Sequence, residues 1–539
     1  MCLHCNELPH QHTTMTAEGC KLGFTDFVSK SIVLKTKWNF RPYNDFSSGL
    51  LWNTIQQVLG WDVQNQIVPI ISMRAAAAMR RSLLRVTGMK FHTLLTLGLL
   101  VATIAKAAAV IALGPASIEM DASEYWQLST LVMQGDLWMT GEPIAYRTPA
   151  YPWFLAIVRS LFGEHALLAV VVIQATMWTA AVWIAGKITV RITQSAWALP
   201  LTLLVSLPAV SAITYSTTLL TESMFTLLLM LSSLLVLCYC QQPSRRVAIL
   251  IGLLLACTVL TRPIAIYWWL AHLVLVIWAM RQLSFPIRWS DLALAVIAFS
   301  LLRSPWIWLN HQLFCEPFVT KFLGRNIWIV TFQDGSGAGL ELPETSTAIE
   351  LARRLEHAGV ADQWRGTWVV SHALVESGLS DPEADGWMRD VAFAAIAAHP
   401  APFAYKSVRR IVNFWRCAVT DLPIQGSANG EYMGQAIWSH SIAPVSWAID
   451  HRPSRRVWFN TTLVTIVVIA TMILIVNLRT RCYGVWLGLT FAYFSVVTGL
   501  VEIPNYRYRV VLEPLSAATV AAALVVISAS LVRRSSRQR

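Results

Sequence analysis

Long apolar runs are the feature that most limits what this chain can fold into. Runs of roughly 17 to 25 residues recur along its 539 residues, and each is long enough to cross about 30 Å of hydrocarbon as an α-helix. Backbone amides find no water inside a bilayer, so a single run crosses it only as a helix. Composition agrees, because 55% of the residues are hydrophobic and 13% are charged, unlike an average soluble domain. The sequence predicts an all-α polytopic membrane protein.

About ten spanning helices are predicted. Their approximate bounds are 92–113, 165–186, 196–213, 217–239, 247–262, 264–280, 290–309, 457–477, 483–500 and 510–532. With a cytoplasmic N-terminus, lysine and arginine fill the loops on the inner side, as the positive-inside rule requires. One basic cluster, HRPSRR at 451–456, falls on the outer side. The last three spans are therefore the least constrained part of this topology.

The spans divide the chain into parts. We expect a disordered cytoplasmic tail (1–88), a transmembrane core with spans one to seven (89–309) that includes a first extracytoplasmic loop (114–164), a helical extracytoplasmic subdomain (310–456), and the last three spans with a basic tail (457–539). The subdomain holds 15 of the 30 acidic residues, which indicates exposure to water. The net charge of +12 follows from topology. No basic stripe with interleaved aromatic residues occurs in a soluble segment, so nucleic acid is not an expected partner.

An acidic motif, MDASEYWQLST, directly follows the first span. On a helix, Asp121, Glu124 and Tyr125 share one face through i, i+3 and i+4 spacing. Helix capping is one interpretation, because an acidic residue near a helix N-terminus satisfies free amides and favours the dipole. The other interpretation is a functional carboxylate at the boundary between membrane and water.

Four arginines lie at the outer ends of spans, against the charge bias and on the same side as Asp121. They are Arg147, Arg262, Arg507 and Arg509. Each alone fits an interfacial arginine whose stem lies in lipid, but four around one acidic position predict an anion site. Glu222 lies near the outer end of span four, where an unpaired carboxylate costs several kcal/mol. It either orients a substrate or neutralises one of these arginines. Tyr146 and Tyr151 either stack on a sugar or anchor the interface.

The segment MQGDLWMTGEPIAYRTPAYPWFLAIVRSLFG (133–163), together with DASEYWQLS, resembles the first extracytoplasmic loop of the GT-C glycosyltransferases. More narrowly, it is similar to bacterial members of glycosyltransferase family 39, relatives of protein O-mannosyltransferases and the lipid A aminoarabinose transferase. Further matching pieces run from about 115 to 515: TLLTESMF, LTRPIAIY, SPWIWLN, AAHPAPF followed by VRRIVNFW, and NYRYRVVLEPL. Departures are Ala122, where relatives often have a second acid, Ala150, where glycine or proline is common, and the lack of an arginine before Asn310.

The resemblance implies a GT-C-like helical bundle in the bacterial plasma membrane. It implies an inverting glycosyltransferase that moves a sugar from a polyprenyl-phosphate donor to an acceptor on the extracytoplasmic face. Membrane lipids are the further partner expected of such a protein. In that chemistry Asp121 is the catalytic base, and cations hold the leaving phosphate. The substrate-binding set would be Tyr125, Tyr146, Arg147, Tyr151, Glu222, Arg262, Arg507 and Arg509. No cofactor is expected. The lack of an Asp-x-Asp motif at Asp121 disfavours a divalent ion, and metal dependence stays open at this point.

Two other functions fit parts of the pattern. A transporter or flippase of a lipid-linked or anionic solute predicts internal repeats and charges near the bilayer midplane, and neither is evident in the sequence. A non-catalytic membrane scaffold derived from an enzyme would keep the whole pattern. Neither the sugar nor the acceptor can be read from these residues.

Overall fold

The computed structural model shows helices throughout the part of the chain that it describes. The described residues are 90–112, 118, 121–208, 215–282, 286–333, 340–416, 453–502 and 506–538. They belong to one compact unit, Val63–Arg539. Within these ranges no strand is formed, which confirms the all-α fold. The predicted tail 1–88 lies outside the described residues, as does the 417–452 part of the predicted subdomain.

The α-helices of the described ranges follow one another with short connections. In chain order they are α1 (Phe91–Ala112), α2 (Asp121–Met133), α3 (Ala150–Phe162), α4 (Ala166–Thr193), α5 (Ala198–Ser206), α6 (Glu222–Gln241), α7 (Arg245–Thr261), α8 (Trp269–Gln282), α9 (Trp289–Phe314), α10 (Leu323–Trp328), α11 (Ser346–His357), α12 (Thr367–Glu376), α13 (Asp381–Ala398), α14 (Pro400–Arg416), α15 (Pro453–Val476), α16 (Arg481–Val501), α17 (Tyr506–Val510) and α18 (Glu513–Gln538).

Seven helical stretches of the described chain are long and apolar enough to cross a membrane. They are Phe91–Ala112, Ala150–Thr193, Glu222–Gln241, Pro263–Gln282, Trp289–Phe314, Arg481–Val501 and Glu513–Val532. The chain is therefore an integral membrane protein. This number is roughly in line with the predicted ten, because the three remaining predicted spans contain the helices α5, α7 and α15.

Three predicted spans coincide with helices outside these seven stretches. The predicted span 196–213 contains α5, which has nine residues, and its last residues, 209–213, lie outside the described part of the chain. Lys106 of α1 donates hydrogen bonds from Nζ to the carbonyls of Ser206 (3.3 Å) and Leu207 (3.0 Å), which satisfies backbone groups at this helix end. The helix in 247–262, α7, has 17 residues. Helix α15 has 24 residues and overlaps the predicted span 457–477.

The apolar helices pack into one large hydrophobic core. Helix α4 lies inside it, in contact with α5, α6 and α18, while α7 packs along α9. The last contact depends on Gly252, because a Cβ there would lie 2.1 Å from the carbonyl oxygen of Ala295. The outer side of α9 carries exposed apolar residues such as Leu301 and Trp308. That side is the one expected to face lipid.

The residues between α9 and α14 form a second hydrophobic core of their own. It includes Trp328, Leu351, Leu374 and Met388, all fully buried. Helix α9 runs to Phe314, so this helical subdomain begins a few residues later than the predicted 310. Helix α14 returns to the membrane core and packs on α16. The subdomain is thereby fixed over the same end of the bundle as α2 and α3, which places it beside the acidic motif.

Candidate active site

Asp121 is the first residue of α2, and its predicted neighbours on that helix face meet on one guanidinium. Arg147 donates from Nη2 to Asp121 Oδ1 (2.6 Å), from Nε to Glu124 Oε2 (3.0 Å) and from Nη1 to the Tyr125 hydroxyl (3.3 Å). The i, i+3 and i+4 spacing places these three acceptors side by side. The loop after α2 brings Arg147 back over them.

A second arginine reaches Asp121 from the far end of the chain. Arg507 of α17 donates from Nη1 to Asp121 Oδ2 and from Nε to Glu222 Oε1. Arg262, which follows α7, donates from Nη1 to the same Glu222 oxygen at 3.1 Å. We call the resulting alternating row the charge chain. Its members, in order, are Glu124, Arg147, Asp121, Arg507, Glu222 and Arg262. Three carboxylates and three guanidiniums make its formal charge zero.

Exposure differs sharply along the charge chain. The side chain of Glu222 is 0% exposed, which is tolerable only because two guanidiniums share one of its oxygens. Glu222 is thus paired with both Arg262 and Arg507. Its other oxygen, Oε2, is buried and has no hydrogen-bond partner among the described residues. Asp121 is the most accessible member, with 32% of its side chain exposed.

The ionisation of Asp121 is dominated by its two arginines. Burial opposes the charged form, but the Arg507 and Arg147 guanidiniums outweigh it and hold the pKa of Asp121 well below its usual range. These partners are 386 and 26 positions away in sequence. A helix-capping carboxylate would be held by amides of its own first turn instead. The environment of Asp121 is therefore built by tertiary structure, in keeping with the functional interpretation.

Two of the predicted tyrosines, Tyr151 and Tyr146, pack against other side chains of the protein. Tyr151 is fully buried. Its hydroxyl donates to Gln174 Oε1 (2.9 Å), and its ring meets Tyr125 edge-on with centroids 5.0 Å apart. The prediction that Tyr151 stacks on a sugar is therefore wrong, because no face of its ring is accessible. The Tyr146 ring is stacked on Phe322 at 5.5 Å, so this tyrosine also has a protein partner.

Arg509 does not join the charge chain. Its Nη1 donates to the carbonyl oxygen of Trp415, at the end of α14. Arg509 is two positions after Arg507 on the short helix α17, and residues two apart point about 200° away from each other around a helix. The predicted phosphate role of Arg509 is therefore corrected to a structural one, since it joins α17 to α14.

The subdomain holds the loop residue that precedes Tyr146 and Arg147. Ala145 donates its amide to Asp381 Oδ2 (2.9 Å) and accepts the Lys321 amide on its carbonyl (2.8 Å). The fully buried Arg325 pairs with Asp381 and lies 3.5 Å from Asp385. We call Ala145, Lys321, Arg325, Asp381 and Asp385 the loop clamp.

The loop clamp was not predicted, and its sequence signal is indirect. SDPE at 380–383 reads as a helix start, and Ser380 and Glu383 do form a capping box. Nothing in that motif reveals the contact between Asp381 and the loop. Gly324 gives a second indirect signal, because a Cβ there would lie 1.7 Å from the Asp385 carbonyl oxygen. Only a glycine permits α10 to approach α13 closely enough for this arrangement.

We expect Asp381→Asn to reduce turnover roughly tenfold through misplacement of Arg147, since small displacements at a distance are costly in a preorganised site. The amide oxygen still accepts from Ala145, but the charge opposite Arg325 is lost. Stability should fall by about 1–3 kcal/mol, because Arg325 keeps Asp385. Thermal unfolding and steady-state kinetics on the purified protein measure both effects. Glu383→Gln, two positions away and still able to accept from Ser380, is the matched control. Equal effects of the two substitutions would contradict a role for the clamp.

Metal ligands are not grouped in the described residues, where no set of three or more histidine, cysteine, aspartate or glutamate side chains converges. The carboxylates of the charge chain each contact at least one guanidinium instead. What this arrangement can do is bind an anion, by exchanging a carboxylate for another negatively charged group on the same arginines.

Comparison with known proteins finds similar solved structures but no related sequence. No protein-family profile matches the chain, and no curated protein matches it. One similar solved structure is the oligosaccharyltransferase AglB from Archaeoglobus fulgidus in complex with an inhibitory peptide and a dolichol-phosphate, at 12% identity and a TM-score of 0.39, over 82% of this chain and 51% of that one. Another is ArnT from Cupriavidus metallidurans bound to undecaprenyl phosphate, at 11% identity and a TM-score of 0.34, over 80% of this chain and 77% of that one.

This chain thus spans about half the length of the archaeal protein. At these identities and scores the two solved structures assign no activity to this chain.

Proposed function

We propose that this chain is an inverting membrane glycosyltransferase, which transfers a sugar from a polyprenyl-phosphate donor to an acceptor on the extracytoplasmic side. The observation that carries the proposal is the position of Asp121 between Arg147 and Arg507. A base and two phosphate-binding groups are thereby in direct contact at the most accessible point of the charge chain. The reaction needs these two functions side by side.

Donor binding would rearrange this row of charges. The charge chain is formally neutral, and both arginines already hold Asp121. A phosphate that binds Arg147 and Arg507 must therefore take their N–H groups from that carboxylate. Charge-assisted hydrogen bonds to phosphate are strong enough to compete with those to a carboxylate. Asp121 would be released as the donor arrives, and it would become a stronger base at the moment when a base is required.

The transfer step then follows from these groups. The acceptor hydroxyl oxygen bonds to the anomeric carbon while Asp121 takes its proton, and the bond from that carbon to the phosphate oxygen breaks. Attack on the face opposite the phosphate inverts the anomeric centre. Polyprenyl phosphate leaves with the extra negative charge, which Arg147 and Arg507 stabilise, so no strong general acid is needed. Glu222 is fully buried, so its part in this step is to hold Arg507 in place.

The release of Asp121 has a pH signature. In the free protein its pKa lies well below the usual value of about 3.9, and a phosphodiester donor is ionised over the same range. The acid limb of kcat/KM for the donor, which reports free protein and free donor, should lie at the lower pH. The acid limb of kcat, which reports the bound complex, should lie at higher pH, because the arginines have moved to the phosphate. Over about pH 3.5 to 8 we therefore expect kcat/KM for the donor to stay flat toward acid while kcat falls, and an acid limb shared by both quantities would contradict the exchange.

The proposed function is tested by mass spectrometry of cell-envelope glycans and glycoproteins with and without the chain. We expect loss of one sugar mass from a defined acceptor. The wild-type chain should restore it, while the Asp121→Asn chain should not, at equal amounts in the membrane. Restoration by both chains would leave a scaffold role. An unchanged envelope together with altered distribution of a lipid-linked solute between leaflets would favour a transporter.

A further inference from the structure

A pocket of about 680 Å³ lies at the end of the bundle opposite the charge chain. Helix α8 starts shortly after Arg262 and runs to Gln282, and α16 runs from Arg481 to Val501, shortly before Arg507. The pocket lies where the far ends of these two helices meet the turn between α15 and α16. None of the residues that line it belongs to the charge chain or the loop clamp.

The polar side of the pocket is an unbalanced pair of guanidiniums. Arg281 is exposed, and Arg481 donates from Nε to the Ile475 carbonyl at 3.1 Å, which fixes the side chain while its Nη groups remain available. Neither arginine forms an ion pair with a described residue. Among the described residues at this end of the bundle, the Asp291 carboxylate already accepts a hydrogen bond from Tyr239 and lies 3.8 Å from Arg245. Two adjacent positive charges in one pocket favour an anionic ligand.

The other side of the pocket is apolar and opens toward the lipid-facing surface. Val274 and Ile277 line it along α8, with Val274 40% exposed, and Leu478 closes the turn with 68% exposed. Trp278 lies between the apolar and the charged residues, as expected for an aromatic ring at headgroup depth. A soluble anion would bind the arginines and leave the apolar side of the pocket exposed. A ligand that satisfies both sides has a phosphate and a hydrocarbon chain.

We propose that this pocket binds one anionic phospholipid from the leaflet opposite the charge chain. Its phosphate lies between Arg281 and Arg481, and one acyl chain follows Val274 and Ile277. Gln282 donates from Nε2 to the Leu478 carbonyl (3.3 Å), so the end of α8 and the turn that carries Arg481 are held together around the headgroup. The site stands apart from the proposed transfer reaction and does not depend on it.

Native mass spectrometry of the purified full chain tests the site, with phosphatidylglycerol and phosphatidylcholine of identical acyl chains as probes. We expect one tightly retained phosphatidylglycerol, and roughly ten- to a hundredfold weaker retention in Arg281→Gln/Arg481→Gln, since charge-assisted contacts to phosphate are lost. The control Arg191→Gln/Arg246→Gln removes two charges at the same end but outside the pocket. It should retain the lipid as the wild type does.

Three results would overturn the proposal. Equal loss of lipid in both double variants would mean diffuse attraction to a basic surface, and equal retention of phosphatidylcholine would mean an apolar groove without headgroup selection. Displacement by millimolar inorganic phosphate would identify a soluble-anion site. If the Arg281→Gln/Arg481→Gln variant does not fold, as thermal unfolding would show, Arg281→Gln alone decides. That exposed side chain can be replaced with little cost to the fold, and retention should still fall severalfold.

Discussion

Replacement of Asp121 by asparagine is expected to lower turnover at least about a hundredfold, the range typical of a lost general base, while donor binding stays intact or becomes tighter. Asparagine cannot accept the acceptor's proton. It also no longer competes as an anion for Arg147 and Arg507, so the donor phosphate should bind these arginines at least as tightly as before. Opposite signs for turnover and donor affinity are difficult to obtain from misfolding, which would weaken both. Single-turnover transfer and donor titration on the purified variant give the two quantities separately.

The structure explains why this variant should still fold. Arg147 keeps Glu124, and Arg507 keeps Glu222, so no guanidinium is left without a carboxylate. Asp136→Asn is the matched control in the same loop, because Asp136 accepts from Thr140 and Gly141 in a local turn and lies outside the charge chain. It should be close to wild type in both measurements. Near-normal turnover in Asp121→Asn would reduce Asp121 to a structural role and favour the scaffold alternative.

Apolar periodicity predicts the long helices of this fold well. The long helices α1, α9 and α16 fall close to the predicted 92–113, 290–309 and 483–500. Prediction is poorer where a residue distant in sequence contributes to a helix end. Lys106 of α1 donates hydrogen bonds to the carbonyls of Ser206 and Leu207 at the end of α5. The apolar run 196–213 does not indicate this contact.

The residue types of the site were predictable, but their partners were not. Asp121, Glu222 and the arginines were all predicted near the outer boundary of the membrane, because charges are costly inside its hydrocarbon region. That argument gives a common depth and no contacts. It cannot decide between Arg507 and Arg509, which differ only in direction around α17. It also treats Tyr151 as an accessible ring, although α3 turns this ring inward toward Gln174.

Arg507→Gln and Arg147→Gln test the anion site itself. If these arginines hold the donor phosphate, each substitution should weaken donor binding about tenfold to a hundredfold, since a charge-assisted hydrogen bond contributes on the order of 1.5–3 kcal/mol. Lysine at either position should restore only part of the affinity, because it supplies charge without the planar fork. In Arg507→Gln the buried Glu222 keeps Arg262 as its partner, so the variant should remain folded. Titration of polyprenyl phosphate against the purified variants measures the loss.

Arg509→Gln separates this effect from damage to the short helix that carries Arg507. Both residues lie on α17, and Arg509 contacts the Trp415 carbonyl rather than the charge chain. We expect the Arg509 variant to lose thermal stability while its donor affinity stays within about twofold of wild type, because no charged contact to phosphate is removed. The Arg507 variant should show the reverse, with a large loss of affinity at modest cost to stability. Unchanged affinity in both Arg507→Gln and Arg147→Gln would mean that these guanidiniums only bind the carboxylates beside them. The donor phosphate would then have to be held by other groups.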